Sequence, residues 1–186
     1  MMEKQEYKIT SKEISLREFQ LKDALAYFQL YTHPLVKRYI PLDMIPRDVN
    51  SAAAQIKSLF LQGRQYPYWA VVRSDTDTII GSCGFVNAEP YHKRIELAYD
   101  LHPDYWGNGL MHASLSACVK YAFDVLRVQR LEAVTLTDNI QSMKCLKRLG
   151  MVHEGLLRNF KYFKGKMVDV ESFSMTPQDY ISIHKE

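Results

Sequence analysis

Three stretches of this chain carry backbone or side chains that could do chemistry. The first is Tyr105-Trp106-Gly107-Asn108-Gly109-Leu110-Met111. It follows an alternating apolar run, Ile95-Glu96-Leu97-Ala98-Tyr99-Asp100-Leu101, and precedes a helical pattern that starts near Leu110. A glycine-bearing turn from strand into helix leaves backbone N–H groups uncovered. With the positive end of the helix dipole they suit a phosphate or pyrophosphate. Glycine matters there because a side chain would hold the phosphate off the backbone. The same spacing also makes a plain strand-to-helix corner, so the turn by itself does not decide between the two. The second stretch is the strand around Glu96. This carboxylate reads either as a surface residue paired with Lys93 or Arg94, or as a general base. A carboxylate near a reacting group, directly or through one water, can take the proton that group must lose. Asp100, further along the strand, is the substitute for that role. The third stretch is Asp138-Asn139-Ile140-Gln141-Ser142, which reads as a helix start in which Asp138 or Asn139 caps and Ser142 sits in the first turn.

Taken in order, these stretches resemble the GNAT N-acetyltransferase superfamily, specifically its RimJ/RimL-type branch. The residues that carry the resemblance are His102 to Gly109, Tyr121-Ala122-Phe123-Asp124, Asn139 to Ser142, Leu146-Lys147-Arg148-Leu149-Gly150-Met151 and Glu154-Gly155. Leu16-Arg17 with Asp23-Ala24, Ile80-Gly81, and Phe163 to Asp169 extend it over nearly the whole chain. The resemblance implies acetyl-CoA as cosubstrate. It places Gly107, Asn108, Gly109, Leu110, Met111 and His112 along the coenzyme pyrophosphate, with Trp106 among the cofactor-binding residues. It places Asn139 on the pantetheine arm and the Ser142 hydroxyl near the thiol sulfur. It gives Tyr99, Asp100 and Leu101 the exposed edge backbone that binds the acetyl carbonyl and pantetheine amides, where an amide can stabilise an oxyanion. Glu96 matches the branch's strand glutamate and is the implied base. Many members carry a Tyr four residues after Ser142 as the acid for the departing thiolate. This chain has Leu146 there, so Ser142 or water must serve.

The implied fold is α/β (α+β), a GNAT-type mixed and mostly antiparallel sheet of about seven strands flanked by about four helices, in a single domain over residues 1–186. The implied activity is transfer of an acetyl group to a primary amine, of a protein N-terminus (including a ribosomal one) or of a small molecule, by direct attack in a ternary complex. No cysteine sits in a motif suited to a covalent acetyl-enzyme. The rival reading is a catalytically silent acyl-CoA-binding sensor or scaffold, which the absent tyrosine favours. A Rossmann dinucleotide enzyme would need its glycine turn after the first strand, and here the turn comes late.

Bulk composition narrows the classes. An apolar content of 47% and a charged content of 24% are ordinary for a globular protein, and a net charge of +3 does not argue for direct nucleic-acid binding. Cys83, Cys118 and Cys145 are odd in number, lack metal spacing and predict reduced thiols in a cytoplasmic protein with no metal. The polar start and the absence of a long apolar run argue against secretion and membrane insertion. The expected assembly is a monomer or homodimer.

The elements that must position these residues follow from periodicity. Strands are expected at 7–18, 68–73, 79–87, 94–101, 131–137, 152–163 and 167–175. Helices are expected at 21–31, with Leu21, Ala24, Leu25, Phe28 and Tyr31 on one side, at 49–62, from Leu110 through Leu126, and at 140–149, ended by Gly150. The acceptor mouth is expected between the first helices and the closing hairpin, with Tyr31, Tyr39 and Tyr162 as candidates. Segments 31–46 and 158–166 hold only Asp43 as a carboxylate among several Lys and Arg. That balance disfavours a polycation, which needs several carboxylates to offset its desolvation.

Overall fold

The computed structural model describes residues 13–184. One seven-stranded sheet runs in the order β1-β2-β3-β4-β5-β7-β6. Its strands are β1 (Ile14–Arg17), β2 (Tyr68–Arg73), β3 (Ile79–Glu89), β4 (Arg94–Leu101), β5 (Arg130–Leu136), β6 (Val152–Phe163) and β7 (Lys166–Met175). Every pairing is antiparallel except β4 with β5. The helices are α1 (Ala24–Thr32), α2 (Pro34–Lys37), α3 (Val49–Ile56), α4 (Leu110–Asp124), α5 (Ile140–Arg148) and α6 (Pro177–His184). The expected fold class is therefore the observed one. The part of the first predicted strand at 7–12 lies outside the described residues.

Two apolar layers sandwich the sheet. On one face α1 and α3 pack Tyr27, Leu30, Tyr31, Ala52 and Ile56 over Ala70, Val72 and Ile79. On the other, α4 and α5 bury Leu115, Cys118, Val119, Ala122 and Leu146 against Phe85, Ile95, Leu97, Leu131 and Phe173. Burying apolar side chains on both faces is what an amphipathic helix layer and a mixed sheet require. The six helices exceed the expected four by short α2 and by α6. The signal for α6 is Thr176-Pro177-Gln178-Asp179: a cap, a proline at the first helical position and an acid two residues on. The Asp179 carboxylate accepts from Thr176 N at 2.8 Å, and Tyr180 stacks on Phe123.

The inward face of α1 differs from the predicted one. Leu21 and Leu25 are each 55% exposed, whereas Ala24, Tyr27, Leu30 and Tyr31 are buried. A 3-10 turn over Leu21–Asp23 precedes the helix. Arg17 draws the Asp23 carboxylate inward with two hydrogen bonds of 2.8 Å. That anchor sets the rotation of α1, and it is a tertiary contact the helical period does not contain. The predicted helix 49–62 likewise stops being α-helical at Ile56 and continues as a wider π-type turn over Lys57–Leu61.

Candidate active site

The cleft begins where two strands part. β4 and β5 pair in parallel through Arg94↔Arg130, Ile95↔Leu131 and Glu96↔Glu132, and then stop. β4 runs on to Leu101 paired only with β3, and β5 runs on to Leu136 paired only with β7. The opening is a cleft of about 760 Å³ reaching from α4 to the α1–α2 segment. The ladder fixes which amides face it. His102 N donates to Ile80 O at 2.7 Å, so in the antiparallel register the even-numbered residues of β4 spend their backbone groups on β3. The odd-numbered Leu97, Tyr99 and Leu101 turn theirs toward the gap. The Leu101 carbonyl there accepts from the Trp106 indole at 2.8 Å. Leu97 was not singled out from sequence. Asp100, expected to offer backbone to the cofactor, has its amide in the rung with Ser82, so on this point the expectation is corrected.

The turn before α4 is built for close approach. Gly107 (φ 81°) and Gly109 (φ 75°) both lie in the left-handed region, which glycine enters at no steric cost. A Cβ at either position would meet no atom within 4 Å, so open space rather than packing lies beside these backbones. Gly109 caps α4, and the first intrahelical bond runs from Ala113 N to Gly109 O at 3.0 Å. The N–H groups of Leu110, Met111 and His112 therefore have no intrahelical partner. No acidic residue occupies this first turn, which leaves the dipole end uncompensated for an anion. These residues line the cleft with Trp106, Gly107 and Gly109, while Asn108 is exposed and does not. The cradle fits a pyrophosphate.

Across the cleft, Asn139 caps α5 by accepting from Ser142 N at 3.2 Å, so the capping role expected of it is real. Asn139 and Ser142 both line the cleft. The Ser142 hydroxyl is 2.8 Å from the Tyr99 hydroxyl, which reaches it from β4. Burial pushes the Tyr99 phenol well above the usual tyrosine range. Leu146 is fully buried in the core, so its position does not address the cleft. Cys145 lines the cleft beside Tyr99, its thiol raised by burial.

The opposite face of β4 carries carboxylates. Glu96, Ala98 and Asp100 alternate with the core residues Leu97 and Leu101 and all line the cleft. Glu96 is half-buried, and its Oε2 accepts from Asn87 Nδ2 at 2.7 Å. Asn87 sits in a β3 irregularity with φ 47°, and such a bulge re-aims a side chain beside a site. Glu96 is thus not paired with Lys93 or Arg94; Arg94 instead bonds Glu89 at 2.5 Å. Asp100 lies deeper. Its Oδ2 accepts from Tyr31 Oη at 2.6 Å and from Ser82 Oγ at 2.7 Å. Burial raises its carboxyl to about 6, and these hydroxyl donors oppose the shift.

Of the mouth candidates, Tyr31 is a floor residue, 1% exposed and hydrogen-bonded to Asp100. Tyr39 lines the cleft and donates to Asp138 O at 3.3 Å. Tyr162 is 70% exposed and does not line it, because the strand alternation turns Lys161 and Phe163 inward instead. Sequence reasoning also missed the strap over the cleft: Arg38 pairs with Asp138 at 2.6 Å, and Lys164 Nζ donates to Lys37 O and Arg38 O at 2.8 and 3.0 Å. No local pattern links residues 126 positions apart.

Comparison with known proteins agrees with this fold. The family model described as an acetyltransferase (GNAT) domain matches residues 13–152. Among curated relatives is an uncharacterized N-acetyltransferase, p20, of Bacillus licheniformis, 32% identical over 170 residues, 90% of this chain and 94% of that protein. The [ribosomal protein uS5]-alanine N-acetyltransferase of Escherichia coli is 26% identical over 137 residues, 73% of this chain and 70% of its own. Among solved structures, the microcin C7 self-immunity acetyltransferase MccE, in complex with acetyl-CoA and AMP, superposes with a TM-score of 0.78 at 18% identity, covering 89% of this chain and 93% of its own.

Proposed function

This chain belongs to the GNAT acetyltransferase family and is an N-acetyltransferase, and we propose that it acetylates the α-amine of a protein N-terminus by direct attack on acetyl-CoA bound in the β4–β5 cleft. The observation that carries this reading is the parting of β4 from β5 beside the α4 turn. It supplies, along one line, unpaired strand amides and orphan helix amides. In the proposal, Gly107, Gly109, Leu110, Met111 and His112 hold the pyrophosphate. The Leu97, Tyr99 and Leu101 edge runs along the pantetheine, and Asn139 flanks it. Acetyl-CoA supplies an activated acetyl thioester. Glu96 takes the amine's proton through one water, being half-buried and in reach of solvent. Ser142, joined to Tyr99, faces the sulfur. A cytoplasmic location is part of the same reading; among the described residues all three cysteines are free, and no helix is long and apolar enough to cross a membrane.

An α-amine suits this site because its pKa, about 7.7–8.0, lies well below the roughly 10.4 of a lysine amine. Less work is then asked of the base at neutral pH. The test is a thiol-release screen of peptides with different N-termini against small amines, run beside a thermal-shift titration with acetyl-CoA. Turnover of an N-terminal peptide together with an acetyl-CoA shift is the expected result. A shift with no turnover of any amine would instead favour the silent acyl-CoA binder, which the buried Leu146 supports and the Glu96 face opposes.

A further inference from the structure

Asp100 has an oxygen that the fold leaves unused. Its Oδ2 is fully engaged by Tyr31 and Ser82. Its Oδ1 is buried and has no hydrogen-bond partner among the described residues. A buried, unpaired carboxylate oxygen is costly and calls for a partner. The carboxylate is enclosed by protein yet lines the cleft. Two further features mark the space above it as a ligand pocket. The π-type turn Lys57–Leu61 brings Leu59 and Phe60 to the cleft wall, and π-type turns are frequent at functional sites. Ala98, two residues before Asp100 on the same strand face, is small and leaves room between the carboxylates.

We propose that Asp100 holds the acceptor amine: its Oδ1 accepts an N–H hydrogen bond from the attacking nitrogen, above Ala98. The inference rests on the acetyltransferase reading and names a group in its acceptor subsite. Glu96 and Asp100 are four residues apart, so their Cα atoms are about 13 Å apart along an extended strand. A nitrogen on Asp100 is then beyond direct contact with Glu96, and its proton has to reach Glu96 through water. The ammonium gives a proton by that water to Glu96 and solvent. The nitrogen lone pair, aimed by the bond to Asp100, forms the N–C bond, and the C–S bond breaks onto sulfur. The second proton that nitrogen loses in becoming an amide is matched by the one the thiolate takes up. Acetylation neutralises the nitrogen, so the product loses the charge that Asp100 favours and leaves.

The groups that face Asp100 are Tyr27 and Tyr31 from α1, Tyr68 from β2, and Ser82 and Cys83 from β3. Burial raises the three tyrosines, and the Cys118 thiol together with burial raises Cys83, so none of them titrates between pH 5 and 8. Protonation of Asp100 should therefore contribute an acid limb to kcat/KM near pH 6.

The test is Asp100→Asn. The amide oxygen takes over the bonds from Tyr31 and Ser82 and turns an NH2 donor toward the pocket, which reverses the polarity where Oδ1 stood. With Ala-, Ser- and Met-starting tripeptides as probes, KM should rise about tenfold or more, as each 1.4 kcal/mol of lost binding is a factor of ten. The acetyl-CoA thermal shift should not change. The melting temperature at pH 7.5 should hold or rise. A carboxyl whose folded pKa is raised loses stability as pH climbs from the unfolded value through the folded one, and the amide removes that loss. Tyr31→Phe removes a donor that favours the anion and should move the acid limb upward in pH. An unchanged KM and acid limb in Asp100→Asn would overturn the proposal. So would a lowered melting temperature with unchanged KM, which would make Asp100 and Tyr27 the walls of a structural water site. If the wild-type protein binds acetyl-CoA but binds none of the tripeptides in calorimetry with desulfo-CoA present, the acceptor class fails instead.

Discussion

The hydroxyl of Tyr99 on β4 stands 2.8 Å from the hydroxyl of Ser142 on α5. In the proposed reading this bond spans the cleft at the point where the thiol would leave. Leu146, the α5 position at which the family resemblance implies a phenol, is sealed in the core. A phenol nevertheless reaches Ser142, from the neighbouring strand. Because burial holds the Tyr99 proton tightly, we propose that the pair acts by donating a hydrogen bond to developing thiolate charge. Ser142→Ala should lower kcat about tenfold, below the 10²–10⁴ typical of a full general acid, because water can replace a hydroxyl. Tyr99→Phe should lower it by a similar factor, and the double variant should cost little more than either single one, as expected for groups that work as a unit. Additive losses in a thiol-release assay would show that the two hydroxyls act separately.

Gly109 tests the cofactor cradle. Its backbone is left-handed, so Gly109→Leu costs about 1–2 kcal/mol, and an added Cβ meets open space. The variant should fold with a modestly lower melting temperature. Saturating acetyl-CoA or desulfo-CoA should then fail to stabilise it. A ligand at 100 times its Kd adds about 2.7 kcal/mol to a wild-type fold. An equal shift in wild type and variant would remove the pyrophosphate from this turn.

Glu96→Gln tests the proton path. The rate at neutral pH should fall by about 10²–10⁴-fold, mainly in kcat, because the acceptor is held elsewhere. The defect should shrink as pH approaches the amine's own pKa, where the neutral nucleophile is already abundant. A pH-independent defect, or a rise in KM alone, would make Glu96 a binding residue.

How far the sequence told this story depends on the range of the physics involved. Strand and helix periods are local, and β2, β4 and the start of α4 fall where alternation and the Gly107–Gly109 turn put them. The glycine turn and the orphan amides of α4 were legible for the same reason: they lie within a few residues of one another. The acceptor side was not. Tyr162 was chosen by residue type, but the side chain turned inward depends on the pairing of β6, whose ladder with β7 shifts between Leu157 and Lys161. Asp100 appeared as a spare carboxylate, and its character comes from Tyr31, sixty-nine residues away in sequence. Asn87 entered no motif, because a β-bulge announces itself only once two strands are in register.

The charge around the cleft bears on the acceptor. Arg38, Arg64, Lys144, Arg148 and Lys161 line it, against Glu96, Asp100 and Asp138. Asp138 is already paired with Arg38, which leaves two carboxylates, both on β4. A polyamine brings several positive charges, and desolvating each needs its own partner. A peptide N-terminus brings one amine, which Asp100 can hold and Glu96 can deprotonate, and a neutral chain that can lie along the aromatic wall of Phe60 and Tyr39. Peptide N-termini should therefore be turned over with a higher kcat/KM than spermidine, and raising ionic strength should affect the two differently. Spermidine, drawn in only by charge, should lose rate with salt, while a singly charged peptide bound at a desolvated carboxylate should lose little. Selective turnover of spermidine in the thiol-release screen would reverse this preference and require carboxylates beyond the two on β4.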